Sequence, residues 1–200
     1  MTSLAYVAIL ILGILTLFWQ LFVTFKKIWR LIDPNYVILV DSNIASIGQS
    51  LQGIIDKYAP DTANYNLVEL GCGRAVVTQH LANSNNFKKI LAIDSESNII
   101  AAAKKLKPNP KIEFLVEDIF KFQSPKSSII YCYLFPRIMS RLYIERRLEG
   151  NLIISLTFPI KGVEPTEIIL IENLPRLRFT QCEIFVYDFR TKNHPEGSLS

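Results

Sequence analysis

The sequence is poor in the residues that hold metal ions. Its 200 residues include 2 histidines and 3 cysteines, and His80, His194, Cys72, Cys132 and Cys182 lie too far apart for any metal-ligand spacing. No metal is expected. Widely spaced cysteines in odd number also speak against a disulfide framework and for reduced thiols. The formal net charge is only +4, and no basic stripe gathers along the chain, so no nucleic-acid partner is expected. Internal repeats and low-complexity tracts are absent. Charge is missing altogether from Met1 to Phe25.

That uncharged front holds much of an unusually apolar composition, 50% hydrophobic against 20% charged. As a helix, Leu4 to Phe25 would run roughly 33 Å at about 1.5 Å per residue, enough for a hydrocarbon core of about 30 Å. A cleaved signal peptide would have a basic start, a shorter apolar core and a small-residue cleavage site, and none is visible. A buried core helix of this length would carry a polar face. Lys26, Lys27 and Arg30 follow directly, and Trp19 and Trp29 suit an interface. The expectation is a single-pass anchor crossing the lipid bilayer with residues 4–25, with the C-terminal domain cytoplasmic. A bacterial or archaeal plasma membrane is the simplest location. A mitochondrial inner membrane fits less well, because the front lacks the Arg-rich amphipathic character of a transit peptide. Asp33-Pro34 halts any continuing helix, so residues 1–33 read as anchor and juxtamembrane segment and 34–200 as one globular domain.

Within that domain, Tyr36 to Tyr58 starts extended and turns amphipathic, with Ile44, Ile47, Leu51, Ile54 and Ile55 at helical spacing. Strands are expected at Asn66–Leu70, Lys89–Ile93, Ile112–Val116, Ser128–Leu134 and Leu152–Phe158. Helices are expected over about Ala75–Asn83, Glu96–Leu106 and from Pro136 to about Leu148. The last strands, Glu167–Ile171 and Cys182–Phe189, have no long helix between them and suit an antiparallel hairpin. Apolar runs such as Ile90–Ile93 belong in strands covered on both faces. The fold class is therefore α/β: a Rossmann-like, mostly parallel sheet with helices on both sides and an antiparallel C-terminal hairpin, preceded by one transmembrane helix.

The first strand ends in Gly71-Cys72-Gly73, and a helix follows. That order points backbone N–H groups and a helix N-terminus at the mouth of a βα unit. A dinucleotide fingerprint would require glycine where Val76 stands. Glu69 separates the alternatives further: a carboxylate here suits a cationic ligand and opposes a pyrophosphate. S-adenosylmethionine (SAM) carries a sulfonium and an ammonium and no phosphate. The stretch resembles motif I, E-x-G-x-G, of the class I SAM-dependent methyltransferases; the plain alternative is a glycine turn of any α/β protein. Acids also end the next two strands. Asp94, with Ser95, lies close to the distance, about 20 residues, at which a carboxylate meets ribose hydroxyls. Asp118 can accept from the exocyclic amine of adenine, with Ile119 or Phe120 against the ring. The expected cofactor is SAM, held by Glu69, Gly71, Cys72, Gly73, Asp94, Ser95, Asp118 and Ile119. Each acid can instead be a helix-dipole partner, as Glu96 is read to be. His80 is expected to pack, not to catalyse.

Residues Ile129–Leu142 (IIYCYLFPRIMSRL) and Asn151–Lys161 (NLIISLTFPIK) resemble a narrower group, the small membrane-anchored lysine methyltransferases related to the ATP synthase c-subunit lysine methyltransferase. The features that match are Tyr133, Phe135, Pro136, Met139, Phe158 and Pro159, over a resemblance spanning roughly Asp33 to Arg190. Two positions depart from that pattern: Ala75 replaces a common glycine, and Arg74 stands at an often acidic position. The resemblance implies methyl transfer to a lysine of a protein at or in the membrane. Tyr133 and Pro136 would position the substrate, and Tyr36, Phe135, Phe158 and Pro159 would line its channel. No general base is identifiable; an aromatic at a buried strand end, as Tyr133 is, more often packs, and Tyr36 can equally be a core residue. The Asn-Pro-Pro-aromatic motif of amide and adenine methyltransferases is absent, and Tyr133-Leu134-Phe135-Pro136 stands in its place. A small-molecule or lipid methyltransferase, and a non-catalytic binding module of the same fold, remain as alternatives.

Overall fold

The computed structural model describes residues 12–25, 44–106, 109–171 and 182–190. The chain divides into two compact units, Met1–Tyr36 and Val37–Ser200. In the first, residues 12–25 form helix α1, and every one of them is exposed. Its threonines turn their hydroxyls back onto the helix, Thr16 Oγ1 donating to Leu12 O at 3.0 Å and Thr24 Oγ1 to Gln20 O at 2.8 Å. Among the described residues no helix is long and apolar enough to cross a membrane. The described helix covers the latter part of the expected 4–25 span, roughly 21 Å at about 1.5 Å per residue. Residues 4–11, the boundary expected at Pro34 and the expected channel residue Tyr36 lie outside the described residues.

The first described element of the second unit is α2 (Ile44–Tyr58). Ile47, Leu51, Ile54 and Ile55 recur on one face and are fully buried, and Pro60 prevents the helix from continuing. A short 3₁₀ turn (Thr62–Asn64) leads into β1 (Asn66–Leu70), followed by α3 (Val76–Ser84), β2 (Lys89–Asp94), α4 (Ser97–Leu106), β3 (Ile112–Val116), β4 (Ser128–Cys132), α5 (Pro136–Ile144), β5 (Leu152–Leu156), β6 (Glu167–Leu170) and β7 (Glu183–Asp188). Helix α5 stops short of Leu148 because Arg146 turns left-handed, φ +58°, and Arg147 N donates to Leu142 O at 2.9 Å, closing the last turn.

The strands form one sheet in the order β3-β2-β1-β4-β5-β7-β6. β1 to β5 run parallel, and β7 is antiparallel to both β5 and β6. The C-terminal pair is thus antiparallel as expected, but the reversed strand sits inside the sheet and β6 forms the edge. Strands β1, β4 and β5 are buried at every residue, as continuous apolar runs covered on both faces must be. Alternate residues serve opposite cores. Leu67, Ile90, Ile129 and Leu152 pack with α2, α3 and α4. Val68, Leu91, Ile130 and Ile153 pack with Met139 and Leu142 of α5, and with Phe122 and Ile160. Among the described residues, helices follow only β1, β2 and β4. On the second face the connections after β3 and β5 supply single apolar side chains where helices would otherwise lie.

α2 and α3 approach closely because Gly48 has no side chain. A Cβ there would come within 2.3 Å of His80 Cδ2. His80 is therefore a packing residue, half-buried. The chain leaves β1 for β2 on one side and reaches β4 on the other. This reversal of strand order opens a crevice outside the carboxyl ends of β1 and β4, where ligands bind in such sheets.

Candidate active site

The turn after β1 is built on left-handed backbone. Gly71 has φ +68°, Gly73 φ +53° and Ala75 φ +52°. Cys72 N donates to Ile93 O at 2.8 Å and Ala75 N to Cys72 O at 2.7 Å, which ties the turn to β2. A Cβ on Gly71 would meet Leu134 Cδ2 at 2.8 Å, whereas one on Gly73 would meet nothing within 4 Å. Gly71 thus serves packing, and the backbone at Gly73 is open to a ligand. Helix α3 starts only at Val76 because Ala75, its N-cap residue, holds the left-handed conformation. A glycine here would adopt this conformation freely, and alanine meets it with strain.

Asp94 at the end of β2 is half-buried. Its Oδ2 accepts from Gly73 N and its Oδ1 from Glu96 N, each at 3.0 Å. The carboxylate links the glycine turn to the start of α4 and keeps further lone pairs for hydroxyl donors. Ser95 is exposed beside it. Glu96 accepts at its carbonyl from Ile99 N and Ile100 N, both at 3.1 Å, which puts it at the start of α4. Past β3, Asp118 Oδ1 accepts from Phe120 N at 3.0 Å. Ile119 packs half-buried against the second core. One face of Phe120 carries the Arg141 guanidinium, 3.7 Å from the ring centroid, which leaves Ile119 the freer apolar surface there.

Glu69 faces the α3 side of the sheet with only 6% of its surface exposed. Its Cα is in register with that of Tyr131 on β4. Glu69 Oε2, Thr78 Oγ1 and Tyr131 Oη are all buried with no hydrogen-bond partner among the described residues. Burial pushes the Glu69 carboxyl up to about 8, the nearby Thr78 hydroxyl and amide draw it partway back, and Asp94 adds a further rise. Burial likewise raises the Cys72 thiol, aided by Glu69 and Asp94, so that cysteine is a packing thiol and no nucleophile. The Oε2 of Glu69, buried without a hydrogen-bond partner among the described residues and beside an open glycine backbone, fits a ligand that brings a cation.

The other wall is aromatic. Tyr133 and Phe158 stack with ring centroids 5.6 Å apart, and Phe135 lies 5.2 Å from Phe158. Pro136 begins α5, its fixed φ suited to a first helical residue, and so sets where Phe135 sits. Pro159 is exposed. Burial pushes the Tyr133 phenol up to about 12, with Cys182 adding to the rise and Thr157 opposing it. The sheet therefore brings Gly71, Cys72, Gly73, Asp94 and Ser95 together at one turn, and Tyr133, Phe135 and Phe158 together at the ends of β4 and β5. Sequence reading passed over Thr78, Tyr131, Ser155 and Thr157. Thr78 follows the glycine turn at helical spacing and Tyr131 alternates with Tyr133, which were available signals; nothing in the residue types marks Thr157.

Residues 67–144 match the family described as Methyltransferase domain. A malonyl-[acyl-carrier protein] O-methyltransferase of Bacillus anthracis is 32% identical over 77 residues, which are 38% of this chain and 29% of that protein. The chain thus spans under a third of that relative's length. Among solved structures, a SAM-dependent methyltransferase of Leishmania major superposes with a TM-score of 0.55 at 9% identity, over 74% of this chain and 73% of that one. A Pyrococcus horikoshii protein assigned as an RNA methyltransferase gives 0.51 at 13% identity, over 70% and 81% of the two chains. At such identities the likeness is one of fold. With the glycine turn, the strand-end acids and this sheet order, the domain has the class I SAM-dependent methyltransferase fold, and its cofactor is S-adenosylmethionine.

Proposed function

We propose that the protein is a membrane-anchored SAM-dependent methyltransferase that methylates a lysine side chain of a membrane-associated protein. The observation that carries this reading is the aromatic wall of Tyr133, Phe135 and Phe158 beside the glycine turn. The likeness of the β4 and β5 ends to the membrane-anchored lysine methyltransferases supports the acceptor. The exposed apolar helix over 12–25 supports the anchor, and Lys26, Lys27 and Arg30 on its C-terminal flank support a cytoplasmic domain.

In this reading Glu69 receives the cofactor's ammonium, Asp94 its ribose hydroxyls, and Asp118 with Ile119 its adenine. Bound there, SAM supplies an electrophilic methyl group on sulfur. The protein's part is to deliver a neutral amine in line with it. An ammonium entering an aromatic wall loses water, which favours the neutral form and lowers the lysine pKa. Proximity and orientation then lower the barrier. A Tyr133 phenol pushed up to about 12 keeps its proton near neutral pH, so it is no general base. Its oxygen can accept one amine N–H and leave the nitrogen lone pair aimed at the methyl group.

A second reading takes its support from the B. anthracis relative, an O-methyltransferase acting on a carrier-bound malonyl group. The acceptor would then be a carboxylate or a lipid. Transfer from methyl-labelled SAM to membranes of the source cell separates the two. Label in a protein band that survives mild base, absent with Asp94→Asn, is the expected result. Label released as methanol by base would identify an ester, and label in the organic extract a lipid; either would overturn the lysine reading.

A further inference from the structure

Thr157 is buried and has φ +69°. The other described non-glycine residues with positive φ are Ala75, Ser127 and Arg146; Thr157 is the β-branched one, and for such a residue this conformation is a true outlier. It persists only where surrounding bonds over-determine it. Here they do. Phe158 N donates to Leu156 O at 2.9 Å and Thr157 N to Glu183 O at 2.7 Å. The first bond closes a three-residue turn around Thr157, of the strained γ kind; the second pins its apex to the start of β7. Ser155, fully buried on the last part of β5, donates its Oγ to Phe158 O at 2.6 Å. Beyond Pro159, Ile160 N donates to Tyr187 Oη at 2.8 Å.

These bonds fix Phe158 from both sides. Its ring touches Tyr133 on one side and Phe135 on another. We propose that Ser155 and Thr157 are positioning residues, whose turn at the end of β5 sets the Phe158 ring against Tyr133 and Phe135 and so fixes the acceptor wall before any acceptor arrives. This rests on the reading of those rings as the acceptor channel. A buried hydroxyl among apolar strands needs its hydrogen bond, and Ser155 spends that bond on the residue bearing the ring. Thr157 also turns its Oγ1 toward Cys182 Sγ, at 3.9 Å, on the side from which Tyr133 is influenced by both residues. Holding a wall in shape removes the ordering cost from the binding step.

The test uses the full chain in detergent, labelled with ¹³C-tyrosine, with the Tyr133 ring resonance assigned by its loss in Tyr133→Phe. Thr157→Gly accepts the same backbone but frees it, Ser155→Ala removes the bond to Phe158, and Thr157→Ser is the conservative control. Ser155→Ala should shift the Tyr133 resonance toward its unstacked position and raise the apparent KM for methylation of source-cell membranes about tenfold, the effect expected of one lost buried hydrogen bond, and Thr157→Gly, which loses the hydroxyl facing Cys182 and the stiffness of a β-branched residue, should move both readouts in the same direction. SAM affinity should remain that of the parent chain, which also reports that the variants fold. Thr157→Ser should restore both readouts. An unmoved resonance and KM in both Thr157→Gly and Ser155→Ala would overturn the proposal. A shifted resonance in a protein that labels no membrane protein would leave the positioning role standing and refute the acceptor reading.

Discussion

A carboxyl buried with one oxygen unpartnered is stable only while it keeps its proton or gains a cation, and Glu69 is in that position. With its folded value near 8 against an ordinary 4.5, the native state holds a proton that the unfolded chain releases between those pH values. The native state therefore binds more protons there, and stability falls as pH rises through that window, by about 1.4 kcal/mol per unit at most. Above about 8 the slope should vanish. Glu69→Gln, neutral throughout, should flatten the dependence, which thermal unfolding between about pH 5 and 8.5 would reveal; parallel curves for the two proteins would refute the buried proton. Bound cofactor should oppose the slope, since an ammonium beside Oε2 favours the carboxylate. Tyr133 poses a different question, because its ring and its hydroxyl have separable duties. Tyr133→Phe retains the stack on Phe158 and should lower kcat about tenfold, the loss of one orienting hydrogen bond, with little change in acceptor KM. An unchanged kcat would reduce Tyr133 to packing.

At the scale of the element, two buried alanines, one capping α3 and one inside it, differ in what a glycine would cost. Ala75 adopts a conformation that costs an L residue about 1–2 kcal/mol. Against this, Ala75→Gly loses a buried methyl, worth about 0.8 kcal/mol, and gains unfolded-state entropy of about 0.4–1 kcal/mol. These terms nearly cancel, so Ala75→Gly should lie within about 1 kcal/mol of the parent. Ala82→Gly, equally buried but inside α3, has no strain to relieve and should cost about 1–2 kcal/mol. Denaturant unfolding of both variants would show the contrast, and equal losses would mean Ala75 is unstrained. Ala75 also marks how far the sequence could be read. Continuous apolar runs place β1, β4 and β5, and the period of the isoleucines places α2, because burial acts through patterns visible in the chain itself. The acids and glycines at the ends of β1 and β2 come together because the two strands pair in parallel, which sets their carboxyl ends side by side. The turn at Thr157 lay beyond such reading. A β-branched residue favours extended backbone, and what holds it left-handed is a bond to Glu183, distant in sequence. The link after β3 is helix-free as read, since no helical period runs between Val116 and Ser128; that Phe122 covers the sheet there was not legible, because a single phenylalanine leaves no periodicity.

For the whole molecule, the decisive contrast is between two ways of placing apolar surface. The domain sorts its aliphatic residues into two cores, leaving few large ones exposed, among them Val116, Ile144 and Ile168. In α1 the proportion is reversed, with Phe18 72% and Trp19 68% exposed. A helix that turns its threonine hydroxyls onto its own carbonyls meets the demand of a bilayer, where no water satisfies polar groups. If the expected span over 4–25 is an anchor, Ile14 and Leu17 lie near its centre, where a lysine costs about 2.5–3.5 kcal/mol. Ile14→Lys with Leu17→Lys in the full chain should therefore shift the protein from membranes that resist carbonate extraction to the soluble fraction. Its SAM affinity in detergent should equal that of the parent, because the substitutions lie outside the unit that carries the glycine turn. Retention in the membrane would mean that another surface holds the protein there, and release of the parent chain by carbonate would refute a spanning anchor. Tethering confines encounters to the membrane plane and raises the effective concentration of a membrane substrate. The lysine variant should consequently methylate membranes more slowly than the parent while acting at the parental rate on the same substrate in detergent. Equal rates in both settings would show that the anchor locates the enzyme without assisting its reaction.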